Sequence, residues 1–207
     1  MRLLLVRHGE TAWNRAGRVQ GWAPVGLTER GREQAERVGD HLAGAYDLTT
    51  VHGSDLRRAR QTAAVLAAAL DVSDGRLHTH PEWRERDFGV YQGLTDEEVL
   101  DADPDLVDRY RRGEVPPDEG PPSGESPRTF RERVLTGLRT VTDGDDRTRV
   151  VVTHNNPIVV VLSHVSGRSV QAGFDDFDVP NGSLSVVEWD ATTETGGVAA
   201  VGLTEFE

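Results

Sequence analysis

Arg7-His8-Gly9-Glu10-Thr11 follows directly on the apolar run Leu3-Leu4-Leu5-Val6. Arginine offers a planar, permanently charged fork that fits a phosphate, and a neighbouring histidine can serve as nucleophile or general base near neutral pH. Gly9 has no side chain and would let the backbone approach a ligand. A second histidine stands in the same setting, where Arg149-Val150-Val151-Val152-Thr153 runs into His154-Asn155-Asn156-Pro157. One such junction is equally well explained as a surface histidine at a strand end. Two in the same context point to a shared site that binds an anion.

The elements that must position these residues can be read from the apolar pattern. Runs such as Leu3-Leu4-Leu5-Val6 and Val150-Val151-Val152 suit strands buried on both faces, as in a parallel sheet, whose ligands gather at the strands' carboxyl ends. Pro157 fits the first position of a helix continuing through Ile158, Val161 and Leu162, and a helix N-terminus favours an anion. Thr28 can cap a helix running to about residue 42, with Ala35, Val38 and Leu42 inward. Val51-His52 reads as a short strand, and Ala59, Thr62, Ala63, Leu66 and Leu70 keep helical spacing. Ser126-Pro127 opens a further helix whose buried stripe is Phe130, Val134, Leu138 and Val141. Residues 183–189 and 198–203 form a closing hairpin that turns across Gly196-Gly197. Alternating strands and helices predict a three-layer α/β/α sandwich around a mostly parallel central sheet.

Further blocks then carry a resemblance. Leu5-Val6-Arg7-His8-Gly9-Glu10-Thr11 with Asn14 is similar to the signature of the histidine phosphatase superfamily, the phosphoglycerate mutase-like family. Leu27-Thr28-Glu29-Arg30-Gly31 resembles the start of its first helix. Ser54-Asp55-Leu56-Arg57-Arg58-Ala59 resembles the segment with its second phosphate-binding arginine, which falls on Arg58. Arg84-Glu85-Arg86-Asp87-Phe88-Gly89 resembles the block with its acidic catalytic residue, which falls on Glu85. Gly124-Glu125-Ser126, Thr153-His154 and Asn181-Gly182-Ser183-Leu184 complete the series in order. The resemblance spans essentially the whole chain and implies one domain, 1–207, with the family's fold.

It also implies a mechanism. His8 would attack phosphorus and form a phosphohistidine; Glu85 would protonate the leaving oxygen and then activate water; His154, Arg7 and Arg58 would cradle the phosphoryl group. Asn14 and Asn155 are further candidates for phosphate contacts. Metals and other cofactors are not required, because the arginines and histidines supply the electrostatics. Without the resemblance, Arg58 cannot be told from Arg57 and Arg60, and Glu85 is one carboxylate in a charged stretch. His78 and His80 sit in a polar loop and read as incidental; His41, His52 and His164 fall in helix or strand surroundings and read as structural.

The implied activity is hydrolysis of a phosphomonoester on a small metabolite. The alternatives are a phosphoglycerate mutase-type transfer, which shares the phosphohistidine, and a non-catalytic phospholigand binder. Compact length and the lack of a long basic insertion favour hydrolysis, and a pure binder has no need of a nucleophile and an acid together. At 207 residues with 36% hydrophobic and 28% charged residues, the composition is that of a soluble globular protein. Net charge is −12, and all 23 basic residues are arginine. Nucleic acid is therefore disfavoured as a partner, and an anionic substrate must be drawn by a local positive pocket. Absence of cysteine rules out disulfides and thiolate chemistry. Apolar runs are too short to span a membrane and no leader is recognised, so the expected location is cytoplasmic. An edge hairpin or exposed helix could pair two copies, which leaves a homodimer open.

Two features bear on substrate choice. Residues 90–125 are the least regular part and read as a substrate-shaping insertion or lid. Arg109, Arg111 and Arg112 within it could meet a second anionic group or form a solvated helix surface. In the family the second histidine is usually followed by glycine, whereas Asn155 stands here; asparagine tolerates positive φ, so a turn would survive. Ala23-Pro24-Val25-Gly26 also departs from the usual pattern before Leu27-Thr28.

Overall fold

Leu3, Leu4, Leu5 and Val6 are all fully buried because the strand they form, β1 (Arg2–Arg7), lies inside the sheet with helices on both faces. Leu3 and Leu5 join one core cluster, and Leu4 and Val6 join the other. The computed structural model describes residues 1–144 and 147–206. Its strands are β1, β2 (Val51–Ser54), β3 (Leu77–His80), β4 (Arg149–Thr153), β5 (Leu184–Asp190) and β6 (Thr195–Leu203), in the order β3-β2-β4-β1-β5-β6. The β3-β2, β2-β4 and β4-β1 pairings are parallel, and β5 runs antiparallel to both β1 and β6. The predicted mostly parallel sheet and α/β sandwich are found.

The helices are α1 (Ala12–Arg15), α2 (Glu29–Ala45), α3 (Arg57–Ala69), α4 (Asp96–Ala102), α5 (Pro104–Arg111), α6 (Pro127–Thr142), α7 (Asn155–Val165) and α8 (Val170–Asp176). Helices α2 and α3 cover one face through Ala35, Val38, Leu42, Ala59, Ala63 and Leu66. Helices α6 and α7 cover the other through Phe130, Val134, Leu138, Ile158, Val161 and Leu162. Thr28 and Ser126 cap α2 and α6 as expected, their hydroxyls accepting from the N–H groups of Gly31 and Thr129. None of these helices is long and apolar enough to cross a membrane.

Three local expectations are corrected. The hairpin turns at residues 191–194, and Gly196-Gly197 lie inside β6. Asp190 Oδ1 accepts from the N–H groups of Thr192 and Thr193, and Glu194 takes φ 50°, which closes the turn early. Pro157 is the third residue of α7, a position whose N–H has no intrahelical partner, so proline costs nothing there. Asn155 does not need a positive φ, because the helix already begins at that residue.

Gly9 serves packing rather than a ligand. A Cβ on Gly9 would run into the backbone of Gly31, and one on Gly31 would run into the backbone of Glu10. The α2 N-terminus thus lies directly on the segment after β1, and Thr28 N–H donates to the Glu10 carbonyl across the contact at 2.9 Å. Alanine would add about 1 kcal/mol of helix propensity at position 31. Overpacking against an immovable backbone costs about 1–3 kcal/mol or more, so the steric effect wins. Gly31→Ala is expected to lower the urea midpoint at unchanged m-value.

The histidines at the sheet edge form a cluster. His52 Nδ1 lies 3.1 Å from His80 Nε2, and the His78 ring centroid is 5.3 Å from that of His52. Burial, helped by the two neighbouring imidazoles, holds His52 down at about 4.

Candidate active site

The β1–β4 register pairs Arg7 with Thr153, so the residues that follow, His8 and His154, leave the sheet side by side. The His8 N–H donates to the Thr153 carbonyl at 2.9 Å, and the two imidazole centroids are 5.0 Å apart at 63°. Both rings are buried. Desolvation first, then the charges of Arg58 and Arg7, push His8 well below its usual range. His154 is lowered for the same leading reasons, with His8 adding to the effect.

His8 Nδ1 is 2.8 Å from the Gly9 carbonyl, which can only accept, so Nδ1 carries the proton and Nε2 a free lone pair. Arg58 Nε donates to that lone pair at 3.1 Å. The same guanidinium is aimed by Nη2 on the Gly21 carbonyl at 2.8 Å and Nη1 on the Ala23 carbonyl at 3.3 Å. The departing loop 23–26 therefore still contributes to the site. Burial brings Arg58 down to about 10, with Glu85 opposing and Arg7 adding, and it remains charged at neutral pH. Arg57 and Arg60 are exposed while Arg58 is 1% exposed.

Arg7 Nη1 donates to the Val179 carbonyl at 2.6 Å. His154 Nε2 lies 2.9 Å from Ser54 Oγ at the end of β2. Among the described residues, neither Arg7 Nε nor His154 Nδ1 has a hydrogen-bond partner, although both are buried. A buried donor without a partner, as Arg7 Nε is, costs about 1–3 kcal/mol, which an anionic ligand in the adjoining cavity would relieve.

Glu85 is 8% exposed, and desolvation raises its carboxyl above the ordinary range. The Arg86 N–H, at 2.8 Å from Oε1, and the charges of Arg58 and Arg7 work against that rise. The Asn156 N–H is 3.5 Å from Oε2, so the α7 N-terminus faces this acid.

A 380 Å³ cavity brings Arg7, His8, Asn14, Arg58, Glu85 and Asn155 together; His154 does not line it, and its ring centroid is 5.0 Å from that of His8. Asn14 Oδ1 is engaged by Thr11 N and Oγ1 and by Asn181 Nδ2, which leaves its Nδ2 for a ligand. Asn155 Nδ2 donates to Asn156 Oδ1 at 3.2 Å. Sequence reasoning missed Trp13, Phe88 and Asp96, which also line the cavity, and Ser54. Ser54 could have been found as the polar residue ending the strand next to β4.

Arg109 and Arg112 do not line this cavity. Arg109 makes a two-fold pair with Glu119 at 2.7 and 2.6 Å, and Arg112 pairs with Glu114 at 2.9 Å. The side chain of Arg111 lies outside the described residues.

The family model for the histidine phosphatase superfamily (branch 1) matches residues 3–196. Phosphoglycerate mutase-like protein 4 of Arabidopsis thaliana is 36% identical over 159 residues, covering 75% of this chain and 67% of the relative. The metal-independent phosphoserine phosphatase of Arabidopsis thaliana is 30% identical over 208 residues, covering 97% and 84%. Among solved structures, Bacillus stearothermophilus YhfR superposes with a TM-score of 0.86 at 26% identity, covering 99% of this chain and 98% of that one.

Proposed function

The chain belongs to the histidine phosphatase superfamily, and on that premise we propose that it is a metal-independent phosphomonoester hydrolase acting on a small phosphorylated metabolite. The observation that carries the reading is the tautomer of His8. With its proton held on Nδ1 by the Gly9 carbonyl, Nε2 presents a lone pair between two guanidiniums and beside a buried acid.

The steps follow from these positions. Arg58 Nε leaves Nε2 for a phosphoryl oxygen, and Nε2 attacks phosphorus in line with the leaving oxygen. The P–O bond breaks as the Glu85 carboxyl gives its proton to the departing alkoxide. The resulting phosphohistidine is cationic at the ring, and its Nδ1–H remains on the Gly9 carbonyl. Glu85, now a carboxylate, takes a proton from water as the water oxygen attacks phosphorus and the N–P bond breaks, restoring neutral His8 and inorganic phosphate. Arg7 and Arg58 neutralise the non-bridging oxygens throughout, while burial disfavours a charged His154 beside them.

Hydrolysis is favoured over mutase-type transfer by the charges lining the cavity. Arg7 and Arg58 serve the phosphoryl group, while Arg18 is held by Glu98 at 3.1 Å and by the Gly93 carbonyl at 2.6 Å. A doubly phosphorylated intermediate would bring a second dianion to a wall that holds Asp96 and no other arginine. We assign residues 90–125 the role of shaping the leaving-group end, since Asp96 of α4 stands there.

The test is phosphate release from a panel of phosphorylated metabolites with EDTA present. EDTA-resistant, substrate-selective release is expected. Interconversion of phosphoglycerates without release would replace this reading by the mutase, and tight phosphate binding with neither activity would replace it by a non-catalytic binder.

A further inference from the structure

Glu125 belongs to one of the motif blocks in the sequence, yet it does not line the cavity and takes no part in the steps above. What it holds is Arg133 on α6. Arg133 Nε donates to Glu125 Oε1 at 2.8 Å and Nη2 to Oε2 at 2.6 Å, a forked pair whose side chains are 16% and 13% exposed. The remaining Arg133 donors are spent on main chain. Nη1 reaches the carbonyls of Pro81, Glu82 and Arg84 at 3.2, 2.9 and 3.0 Å, and Nη2 reaches the Glu85 carbonyl at 3.2 Å. One guanidinium thus gathers four carbonyls from five consecutive residues ending at Glu85.

Glu125 grips the other side of the same loop. Its Oε2 accepts from the Asp87 N–H at 2.9 Å, its own N–H donates to the Asp87 carbonyl at 2.9 Å, and its carbonyl accepts Arg86 Nε at 3.0 Å. The Glu85 carbonyl takes a second donor, Trp22 Nε1, at 2.8 Å. These bonds fix the peptides on both sides of Glu85. The Glu85 carboxylate itself touches neither Arg133 nor Glu125.

We propose that Arg133 and Glu125 are positioning residues for the acid, a clamp that fixes the 81–87 loop so that the Glu85 carboxyl stands at the leaving oxygen. This rests on the reading of Glu85 as general acid. Charge is nearly balanced within the pair, so the clamp acts through geometry. An acid displaced by about 1 Å costs on the order of a hundredfold in the step it serves, with little effect on a step that does not need it. Lysine cannot replace the arginine, because three donors on a flexible stem cannot span a carboxylate and four carbonyls at once.

The test compares Arg133→Lys, Glu125→Gln and Glu85→Gln on an alkyl phosphate cleaved by the wild type and on 2,4-dinitrophenyl phosphate, whose leaving group needs no proton. Rates are normalised to the burst of phosphoenzyme, so an unfolded fraction drops out. Both clamp variants are expected to lose about ten- to a hundredfold in the first-turnover release of the alkyl alcohol, with the dinitrophenolate burst rate nearly unchanged, because the later attack of water, which also uses Glu85, is common to both substrates. Glu125→Gln keeps the shape of the pair and serves if Arg133→Lys fails to fold. Equal losses on both substrates, or no loss, while Glu85→Gln stays leaving-group selective, would overturn the clamp alone. If Glu85→Gln is itself unselective, the acid assignment falls and the clamp with it.

Discussion

His8→Ala is expected to abolish phosphate release, by on the order of 10⁴-fold or more, in a chain that still folds. The loss is large because the variant removes the atom that makes the covalent intermediate, and no other imidazole can substitute. His154 Nε2 is engaged with Ser54, and His154 does not line the cavity. Folding should survive because the ring's two hydrogen bonds are to the adjacent Gly9 carbonyl and from Arg58, which has other partners. Arg58 keeps the Gly21 and Ala23 carbonyls, and the vacated space opens on the cavity, where water can enter. Acid-stable inorganic phosphate, acid-labile labelled protein in the wild type and a thermal melt of both proteins check the two halves. A fully active His8→Ala would remove the phosphohistidine mechanism.

Glu85→Gln is the second large effect. The amide keeps the volume and an oxygen for the Arg86 N–H, but it has no proton to give. In the first turnover, leaving-group release from alkyl phosphates should fall about 10²–10⁴-fold, the usual worth of a positioned acid, and that from activated aryl phosphates should change little, while the water attack that follows slows for both. The pH profile tests the same point. Burial raises the Glu85 carboxyl, so its protonated form persists to higher pH than that of an ordinary carboxylate, and wild-type turnover of alkyl esters should fall as pH climbs through that raised value. His8 is lowered, so it stays neutral and nucleophilic well into the acid range and sets no limit near pH 6. Loss of the alkaline fall in Glu85→Gln is the expected outcome. An unchanged profile, or equal losses on both esters, counts against the acid role.

Sequence alone exposed the histidines because two of them each end a run of residues buried on both faces, and the repetition, rather than either junction by itself, points to one site. Arg58 was harder, though its signal was present. Positions 58, 62 and 66 fall on one helical line, and Thr62 and Leu66 are buried, so Arg58 is the one arginine of its group on the inward stripe. Glu85 carries no local signal, since its burial is imposed by Trp22, Arg133 and the α7 N-terminus, which are distant in sequence. Gly9 was misread because a missing side chain looks the same whether a ligand or a helix end approaches it. The hairpin turn was misplaced because Gly-Gly is a strong turn signal, and here the Asp190 side chain closes the turn earlier.

Among the described residues, the strand that leads into His8 pairs with β4 and β5, residues 149–153 and 184–188. During synthesis at about 5–20 residues per second, its apolar run must therefore wait roughly 10–40 s for its first and second neighbours. Over that interval four successive aliphatic side chains lack the two strands that flank them in the folded sheet. It also means that reactivity arrives late and all at once. A ribosome-bound or prematurely ended product can hold Arg7 and His8 and still present no nucleophile to a passing phosphate ester.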